Sequence, residues 1–302
     1  MLLAHCVLCP HLCGVDRLAG MKGRCRAGST ATVFRFGPHF GEEPPISGHR
    51  GSGTIFFSSC PLRCVYCQNH LWSQVDPPVG REYSVDDLAA ICLDLQGQGC
   101  HNINLVTPEP WIPHIVAAVR LAKARGFCLP VVYNTSGFIT EQSLRFLRDT
   151  VDIYLTDLRY ANPAEAREFS GSAGYFEAHR RAARLMWEVA GPLKLGPDGT
   201  AIAGVIIRHL LLPGLLDATA STLAYIAHEI SPDVPVSLMG QFEPVHQARH
   251  HPPIADHVPL GQYIQAMRIA RRLGLTKGWR QRPGPVSPGL LGIAMQPTET
   301  RL

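Results

Sequence analysis

Three cysteines lie close together in the stretch SSCPLRCVYCQNH: Cys60, Cys64 and Cys67. Their spacing, C-x3-C-x2-C, directly follows the apolar run TIFFSS, so three thiolates share one loop and can converge on one iron–sulfur cluster. Four cysteine ligands would close such a site, whereas three leave one iron of a 4Fe-4S cube free for an outside ligand. The spacing therefore predicts an open 4Fe-4S cluster. A zinc site with a distant fourth ligand is the alternative.

Four more cysteines lie near the start of the chain: Cys6, Cys9, Cys13 and Cys25. Their spacing is C-x2-C-x3-C-x11-C, and glycines between them let the chain fold back on itself. Four thiolates suit tetrahedral zinc, a rubredoxin-like iron or a second 4Fe-4S cluster equally well, and His5 or His11 could replace one of them. Because this set offers no open position, we expect an auxiliary cluster, iron or zinc site, which is either structural or acts in electron transfer or substrate ligation.

The composition is that of an ordinary globular protein. Of the 302 residues, 46% are apolar and 17% are charged, which excludes a disordered chain. The net charge of +4 comes from scattered Lys and Arg residues, so nucleic acid is not an expected partner. No run of about 18 apolar residues could span a membrane. The start has no charged n-region and no long apolar h-region, so we do not expect it to be a signal peptide. We expect a cytoplasmic protein, whose clustered cysteines bind metal rather than form disulfides.

The segments that must position these cysteines alternate between short apolar runs and longer helical patterns from Thr54 onward. Such alternation predicts βα units and a parallel sheet. The expected strands are 54–59, 102–106, 129–133, 152–156, 201–212 and 234–239. The expected helices are 84–99, 113–125, 141–147, 175–189, 218–230 and 261–273. Six units fit either an open doubly wound sheet or an incomplete barrel, and in both the carboxyl ends of the strands carry function.

The three-cysteine spacing after the first strand of such a chain resembles the radical SAM superfamily. Tyr66, just before the third cysteine, adds to the resemblance, because the corresponding aromatic residue of that family lies against adenine. In the family, S-adenosylmethionine chelates the open iron, and an electron from the cluster cleaves it to a 5′-deoxyadenosyl radical. The resemblance implies an α/β fold, a partial (β/α)6 TIM-like barrel over 51–275. Residues 1–50 break the βα alternation and are predicted to form a Cys-rich extension, and 276–302 are predicted to form an irregular tail because they are rich in Pro and Gly.

Polar residues after the later strands resemble family segments that hold the cofactor. Thr107-Pro108-Glu109-Pro110 resembles a Gly-Gly-Glu-Pro segment that binds the methionyl amine. Asn134-Thr135-Ser136-Gly137 resembles the Asp-Thr-Asn-Gly stretch of glycyl-radical-enzyme activases, where the first residue contacts ribose, although it also suits a plain turn. Asp157-Leu158-Arg159 resembles their Asp-Leu-Lys segment near the methionyl carboxylate, although it also suits a local ion pair. The contacts implied by the resemblance are Tyr66, Thr107, Glu109, Asn134, Ser136, Asp157 and Arg159.

Arg208 stands in the very apolar segment GVIIRHLLLPG, where an unpaired charge would cost several kcal/mol if buried. A partner is therefore expected. It is either an acid in the core or, as the similar IRxxxxPG segment of the activases implies, the cofactor. Gln241, after the sixth predicted strand, is a further candidate for the same pocket.

Over residues 6–275, including the segment GEEPPISG, the chain resembles a branch of radical SAM proteins similar to pyruvate formate-lyase-activating enzymes. The resemblance implies hydrogen abstraction from a protein or peptide substrate, with a reductant such as flavodoxin or ferredoxin. A radical rearrangement of a small molecule, or a radical methyl transfer, is the enzymatic alternative. The alternative from another class is a non-catalytic iron–sulfur or zinc protein that acts in electron transfer or assembly.

Overall fold

The structure is a computed structural model that describes residues 2–252 and 254–284. In this part of the chain the strands β1 to β10 are Ala31–His39, Ser52–Phe57, Arg81–Tyr83, Ile103–Val106, Val131–Thr135, Ile153–Asp157, Lys194–Leu195, Ala201–Leu210, Val236–Met239 and Gly278–Gln281. The α-helices α1 to α9 are Pro44–Ser47, His70–Ser73, Val85–Gly97, Ile112–Ala124, Glu141–Phe146, Pro163–Ser170, Tyr175–Ala190, Leu216–Tyr225 and Leu260–Arg272.

Within the described ranges, the main sheet follows the order β10-β9-β8-β6-β5-β4-β2-β1-β3. All neighbouring pairs from β2 to β10 are parallel. At one edge, β1 runs antiparallel to both β2 and β3, and the short β7 runs antiparallel to β8. The two ends of this order, β10 and β3, do not pair with each other there, so the sheet is open. The predicted fold class, an α/β partial barrel, is confirmed.

The interior parallel strands form because their residues are buried on both faces. All six residues of β2 and all four of β4 are buried, as expected for near-continuous apolar strands covered on both sides. The helix α3, which follows on the chain, begins with a capping box in which Ser84 and Asp87 satisfy each other's backbone N–H groups. Because the three-cysteine loop follows β2 on the chain, it lies at the carboxyl ends of the parallel strands.

The six predicted strands correspond to β2, β4, β5, β6, β8 and β9. The sequence did not indicate β1, β3, β7, β10 or the helix α6. Edge strands carry no long apolar run because one side faces solvent or a loop: β3 has three residues and β10 reads GWRQ.

Two predicted boundaries look different in the structure. Strand β1 lies within 1–50 but pairs with β2 in the main sheet, so residues 31–39 of the predicted extension are part of the α/β sheet. Strand β10 lies within the predicted tail and pairs with β9. From 285 onward, the predicted tail lies outside the described residues.

Candidate functional site

The carboxyl ends of the parallel strands surround a cavity of about 300 Å³. In the register of the sheet, Asn134 lies beside Val106, and Asp157 lies beside Arg208, so residues far apart in sequence meet at one edge. The predicted site residues that line this cavity are Cys60, Cys64, Tyr66, Cys67, Thr107, Asn134, Ser136, Asp157, Arg159, Arg208 and Gln241. Glu109 lines a neighbouring cavity instead.

The three predicted cluster ligands lie on the loop between β2 and α2. Ser59, which leads into that loop, has a φ of 71°, a left-handed conformation that residues other than glycine rarely adopt. Burial, followed by the negative charge of Glu109, raises the pKa of the Cys60 thiol well above its usual value. Burial also raises the pKa of Cys67, and the charge of Cys64 adds to the shift. Buried thiols of this kind lose their protons when a metal binds them.

The arrangement of acidic, cysteine and histidine side chains bears on which metal would fit. Among the residues that the structure describes, no group of three or more of these side chains is arranged to hold a metal ion. In a 4Fe-4S cube each cysteine binds a different iron. The 4Fe-4S cluster and the zinc alternative at the three-cysteine loop both stay predictions.

Cys64 is held by side chains from two later parts of the chain. Its Sγ accepts a hydrogen bond from Arg159 Nη1 at 3.1 Å and shares one with Ser170 Oγ at 3.0 Å. Ser170 Oγ also bonds to the hydroxyl of Tyr160 at 2.7 Å, and that hydroxyl bonds to the hydroxyl of Tyr66 at 2.6 Å. The aromatic residue expected against adenine is therefore fixed by the same network that holds a predicted cluster ligand.

Asp157 and Arg159 form the ion pair that was the alternative interpretation of this segment, and both also line the cavity. The Arg159 guanidinium lies 5.9 Å from the ring centroids of both Tyr66 and Tyr175. Burial lowers the pKa of Arg159, but its interactions with Tyr175 and Asp157 outweigh burial and hold it well above the usual value. The segment thus presents a permanent positive charge beside Cys64.

Arg208 has the core acid that its apolar surroundings require. Its Nε donates to Glu43 Oε1 at 2.8 Å, its Nη2 donates to Glu43 Oε2 at 2.6 Å, and it also pairs with Glu42. Burial raises the pKa of Glu43, but the Arg208 charge outweighs it and brings the pKa below its usual value. Arg208 also lines the cavity, so the ion pair and a cofactor contact are compatible.

Glu42 and Glu43 are site residues that the sequence reasoning missed. Both belong to the segment GEEPPISG between β1 and β2, which had served only as part of the resemblance. Glu42 Oε1 also accepts hydrogen bonds from Asn104 Nδ2 at 2.9 Å and Asn134 Nδ2 at 3.4 Å. Two consecutive acids and a lone arginine, each in apolar surroundings, were the signal that could have paired them.

Glu109 is 1% exposed and lies behind the wall of the main cavity. Its Oε1 accepts hydrogen bonds from Thr135 Oγ1 at 2.6 Å and from Ser136 Oγ at 3.1 Å, whereas its buried Oε2 has no hydrogen-bond partner within the described ranges. Burial raises the pKa of Glu109 above its usual value, and these hydrogen bonds offset part of the shift. An orphaned carboxylate oxygen of this kind fits an incoming ammonium group.

Thr107 has a φ of 58°. This is the left-handed region that glycine adopts without strain and a β-branched residue rarely does. The backbone therefore keeps the shape of a glycine segment although a threonine occupies it. Gln241 Nε2 donates to the side chain of Gln281, a residue of β10 that also lines the cavity and that the sequence did not indicate.

The four N-terminal cysteines line the neighbouring cavity together with Pro61, Glu109 and Pro110. Burial raises the pKa of Cys9 to about 12, and the charges of the other three thiols add to the shift. Of the two histidines considered as substitutes, His11 lines this cavity and donates from Nε2 to the carbonyl oxygen of Pro61 at 2.9 Å, whereas the His5 ring packs beside Gly14.

Comparison with known proteins gives one family. A profile of the radical SAM superfamily matches residues 54–221, which is more than half of the chain and includes the three-cysteine loop. The uncharacterized protein MJ0674 of Methanocaldococcus jannaschii is 28% identical over 277 residues, which cover 90% of this chain and 75% of that protein. Within the described part of the chain, no helix has both the length and the apolar character to cross a bilayer.

Three solved structures are also similar. SuiB of Streptococcus suis bound to S-adenosylmethionine is 10% identical with a TM-score of 0.48, over 76% of this chain and 49% of SuiB, so this chain spans about half of SuiB. The native anSMEcpe structure with bound AdoMet is 12% identical with a TM-score of 0.46, over 71% of this chain and 57% of the other. A domain of pyruvate-formate lyase-activating enzyme from Bacteroides vulgatus is 12% identical with a TM-score of 0.39, over 58% of this chain and 91% of that domain.

Proposed function

The chain belongs to the radical SAM superfamily, and we propose that it binds a 4Fe-4S cluster at Cys60, Cys64 and Cys67 and cleaves S-adenosylmethionine reductively. When bound, these groups supply a 5′-deoxyadenosyl radical for hydrogen abstraction. The observation that carries the proposal is the cavity at the carboxyl ends of the strands, because three cysteines and the polar strand-end residues line the same space. The predicted cytoplasmic location is part of this proposal.

The residues around the cysteines suit that cofactor. Arg159 keeps a positive charge beside Cys64, where it offsets the negative charge of the cluster thiolates and attracts a carboxylate. Tyr66 presents a buried ring fixed through its hydroxyl. Glu109 lines the neighbouring cavity instead of the main one, so the contact with the methionyl amine that the resemblance implies for Glu109 stays a prediction.

The size of the cavity supports a substrate that approaches from outside. Small-molecule sites have volumes of about 300–1,000 Å³, and this cavity, at about 300 Å³, is near the lower limit. S-adenosylmethionine alone would occupy most of it. We therefore propose a protein or peptide substrate that presents one hydrogen atom at the mouth of the cavity. Flavodoxin or ferredoxin would serve as the reductant.

The decisive measurement is the release of 5′-deoxyadenosine. Anaerobically reconstituted protein, given S-adenosylmethionine and dithionite, should release it together with methionine. The variant Cys64→Ala should lose this release, whereas Cys128→Ser, a change at an exposed cysteine outside both sets, should keep it. A protein that shows cluster absorbance and releases no 5′-deoxyadenosine would be a non-catalytic iron–sulfur protein.

A variant of the second set separates the two sites. Cys13→Ala should leave the absorbance of the three-cysteine cluster in place, because Cys13 lines the neighbouring cavity and not the main one. If Cys13→Ala and Cys64→Ala lose the same absorbance, the seven cysteines serve one site. If the enzyme instead catalyses a radical rearrangement or a methyl transfer, a small-molecule substrate should increase the turnover of S-adenosylmethionine and should itself be converted to a product.

A further inference from the structure

The end of helix α6 lies along the three-cysteine loop. The backbone N–H of Arg63 donates to the carbonyl oxygen of Ser170 at 3.1 Å. The backbone N–H of Val65 donates to the carbonyl oxygen of Phe169 at 3.0 Å. These carbonyl groups belong to the last turn of α6, where a helix leaves its acceptors without partners of its own. Cys64 is therefore held between two backbone hydrogen bonds to the helix end.

Gly171, directly after α6, allows this close contact. Its φ of 72° lies in the left-handed region that ends many helices and that glycine adopts without strain. A Cβ added to Gly171 would lie 3.3 Å from the Cβ of Arg63 and 3.1 Å from Nη2 of Arg24. The helix end thus fits the loop in shape as well as in hydrogen bonding.

A chain of three hydroxyl groups begins at this helix end and links two residues of the loop. Ser170 Oγ lies 3.0 Å from Cys64 Sγ and 2.7 Å from the hydroxyl of Tyr160. The hydroxyl of Tyr160 lies 2.6 Å from that of Tyr66. All four side chains belong to residues that are 7% exposed or less, so their hydrogen bonds are stronger than they would be in water.

Binding of iron by Cys64 would fix the direction of every hydrogen bond in this chain. The metal ligand is a thiolate, which has no proton and can only accept, so Ser170 must donate to it. A hydroxyl has one proton, so Ser170 must accept from Tyr160, and Tyr160 must in turn accept from Tyr66. Both phenols have that proton at neutral pH, since a phenol has a pKa of about 10. With a protonated thiol, by contrast, the chain can also run the other way.

We propose that Ser170 and Tyr160 are positioning residues that raise the reduction potential of a 4Fe-4S cluster bound through Cys64 and hold the Tyr66 ring in one orientation. The inference rests on the proposed function for the identity of that cluster. Hydrogen bonds to the ligand sulfurs are among the features that set cluster potentials, because a donor beside the sulfur stabilises the more negative, reduced form. Each hydroxyl polarises the next, so the two tyrosines strengthen the donor at Ser170.

The sulfur of Cys64 is the one on which this chain converges. Its Sγ has two hydrogen-bond donors close by, Ser170 Oγ at 3.0 Å and Arg159 Nη1 at 3.1 Å. Cys67 Sγ and Ser73 Oγ are 3.4 Å apart, a longer contact. The loss of the hydroxyl at Ser170 should therefore affect the potential more than the loss of the hydroxyl at Ser73.

The first test measures the reduction potential and requires no S-adenosylmethionine. Redox titration of the anaerobically reconstituted protein should give a more negative midpoint potential in Ser170→Ala than in the unmodified protein. Tyr160→Phe should shift the potential in the same direction by less, and Tyr66→Phe by least, because each hydroxyl is one hydrogen bond further from the sulfur. If Ser170→Ala does not fold, Tyr160→Phe, which keeps Ser170 in place, serves as the test by itself.

Tyr175→Phe is the matched control. Tyr175 is buried beside Tyr160, with 5.6 Å between the ring centroids, but its hydroxyl donates to the carbonyl oxygen of Ser136 and not to the chain. Its loss should leave the potential in place. An unchanged potential in Ser170→Ala or in Tyr160→Phe, or an equal shift in Tyr175→Phe, would overturn the inference.

The second test reads the direction of the chain. Ultraviolet resonance Raman bands distinguish a phenol that donates a hydrogen bond from one that accepts it. The difference between the spectra of the cluster-loaded protein and of cluster-loaded Tyr66→Phe should show Tyr66 as a donor, and bands of an acceptor would contradict the proposed direction. A reconstituted protein without a 4Fe-4S spectrum would overturn the proposed function as well, whereas a normal cluster whose potential ignores these hydroxyls would overturn this inference alone.

Discussion

Arg208 carries one positive charge between two carboxylates, so the three side chains keep a net negative charge inside the fold. Glu43 is fully buried, and Glu42 and Arg208 are nearly so. Such a group is favourable only while the positive charge is present, because a buried charge without a partner keeps its full desolvation cost. The geometry therefore predicts that the members of this cluster differ strongly in how much they matter for stability.

Arg208→Leu should lower the free energy of unfolding by about 3–5 kcal/mol, because it leaves two buried carboxylates without a cation. Glu42→Gln should cost clearly less, since Glu43 and Arg208 then form a neutral pair. Urea unfolding followed by circular dichroism measures both changes. Equal losses in the two variants would mean that the charges are screened by solvent.

His209 is a buried histidine on β8 whose neutral form is favoured. Burial lowers the pKa of His209 to about 4, although its hydrogen bond to the carbonyl oxygen of Leu158 opposes the shift. Between pH 6.5 and pH 4 the unfolded chain therefore binds a proton that the folded chain does not. The contribution of His209 to the free energy of unfolding is therefore present above pH 6.5. It is lost as the pH falls, by about 2 kcal/mol between pH 6.5 and pH 5.

His209→Gln should flatten this pH dependence when urea unfolding is measured at pH 7.5, 6 and 5. Some slope should persist, because burial also lowers the pKa of His179, to about 3. The exposed His228 offers the control variant His228→Gln, which should keep the slope of the unmodified protein. An unchanged slope in His209→Gln would show that His209 is charged in the folded state.

At the scale of elements, the start of α5 also anchors the N-terminal segment. Thr140 caps the helix by accepting a hydrogen bond from the backbone N–H of Ser143. Its Oγ1 also donates to the carbonyl oxygen of Val7 at 3.1 Å, and its backbone N–H donates to that of Leu8 at 3.2 Å. One side chain thus supports a helix end and the loop that carries Cys6 and Cys9.

Thr140→Val removes the hydroxyl and keeps the shape, and it should lower the free energy of unfolding by about 1 kcal/mol, the usual cost of a lost N-cap. Thr140→Ser keeps the hydroxyl and should restore most of that loss. Urea unfolding measures the difference between the two. If both variants lose the same amount, the methyl group rather than the cap stabilises this corner.

The elements that were predictable share one property. Interior strands such as β4 are buried along their whole length and mostly apolar, so their pattern is sufficient. The strand β1 was missed because it contains a proline and alternates irregularly. The helix α6 had signals in the sequence, with Asn162 as N-cap, Pro163 in the first turn and Gly171 after the end, and it matters because Ser170 at its end contacts Cys64.

At the scale of the whole molecule, the sequence was informative where chemistry depends on spacing. The positions of Cys60, Cys64 and Cys67 on one loop could be read directly. The pairing of Arg208 with Glu43 could not, because the two residues are 165 positions apart and meet only after the sheet has formed. The neighbouring position of the two cysteine sets is of the same kind, since it depends on how the N-terminal segment folds back.

Arg17 is the buried contact that ties this segment to the rest of the fold. It is 1% exposed, its Nε donates to the carbonyl oxygen of Gly28 at 2.8 Å, and its guanidinium lies 5.0 Å from the ring centroid of Trp111. Its Nη1 donates to the carbonyl oxygen of Pro110 at 2.6 Å, so the planar guanidinium bridges two parts of the chain. A lysine ammonium cannot reproduce this geometry.

Arg17→Lys should therefore expose the segment 2–30 to protease while the sheet stays intact, and it should cost about 1–3 kcal/mol through the carbonyl groups left without donors. Limited trypsin digestion followed by mass spectrometry would show early cleavage within that segment. Lys22→Gln, a change at a half-exposed side chain that pairs with Asp76, should give the digestion pattern of the unmodified protein apart from the removed site. If Arg17→Lys gives that pattern as well, the segment is held by its backbone hydrogen bonds rather than by this side chain.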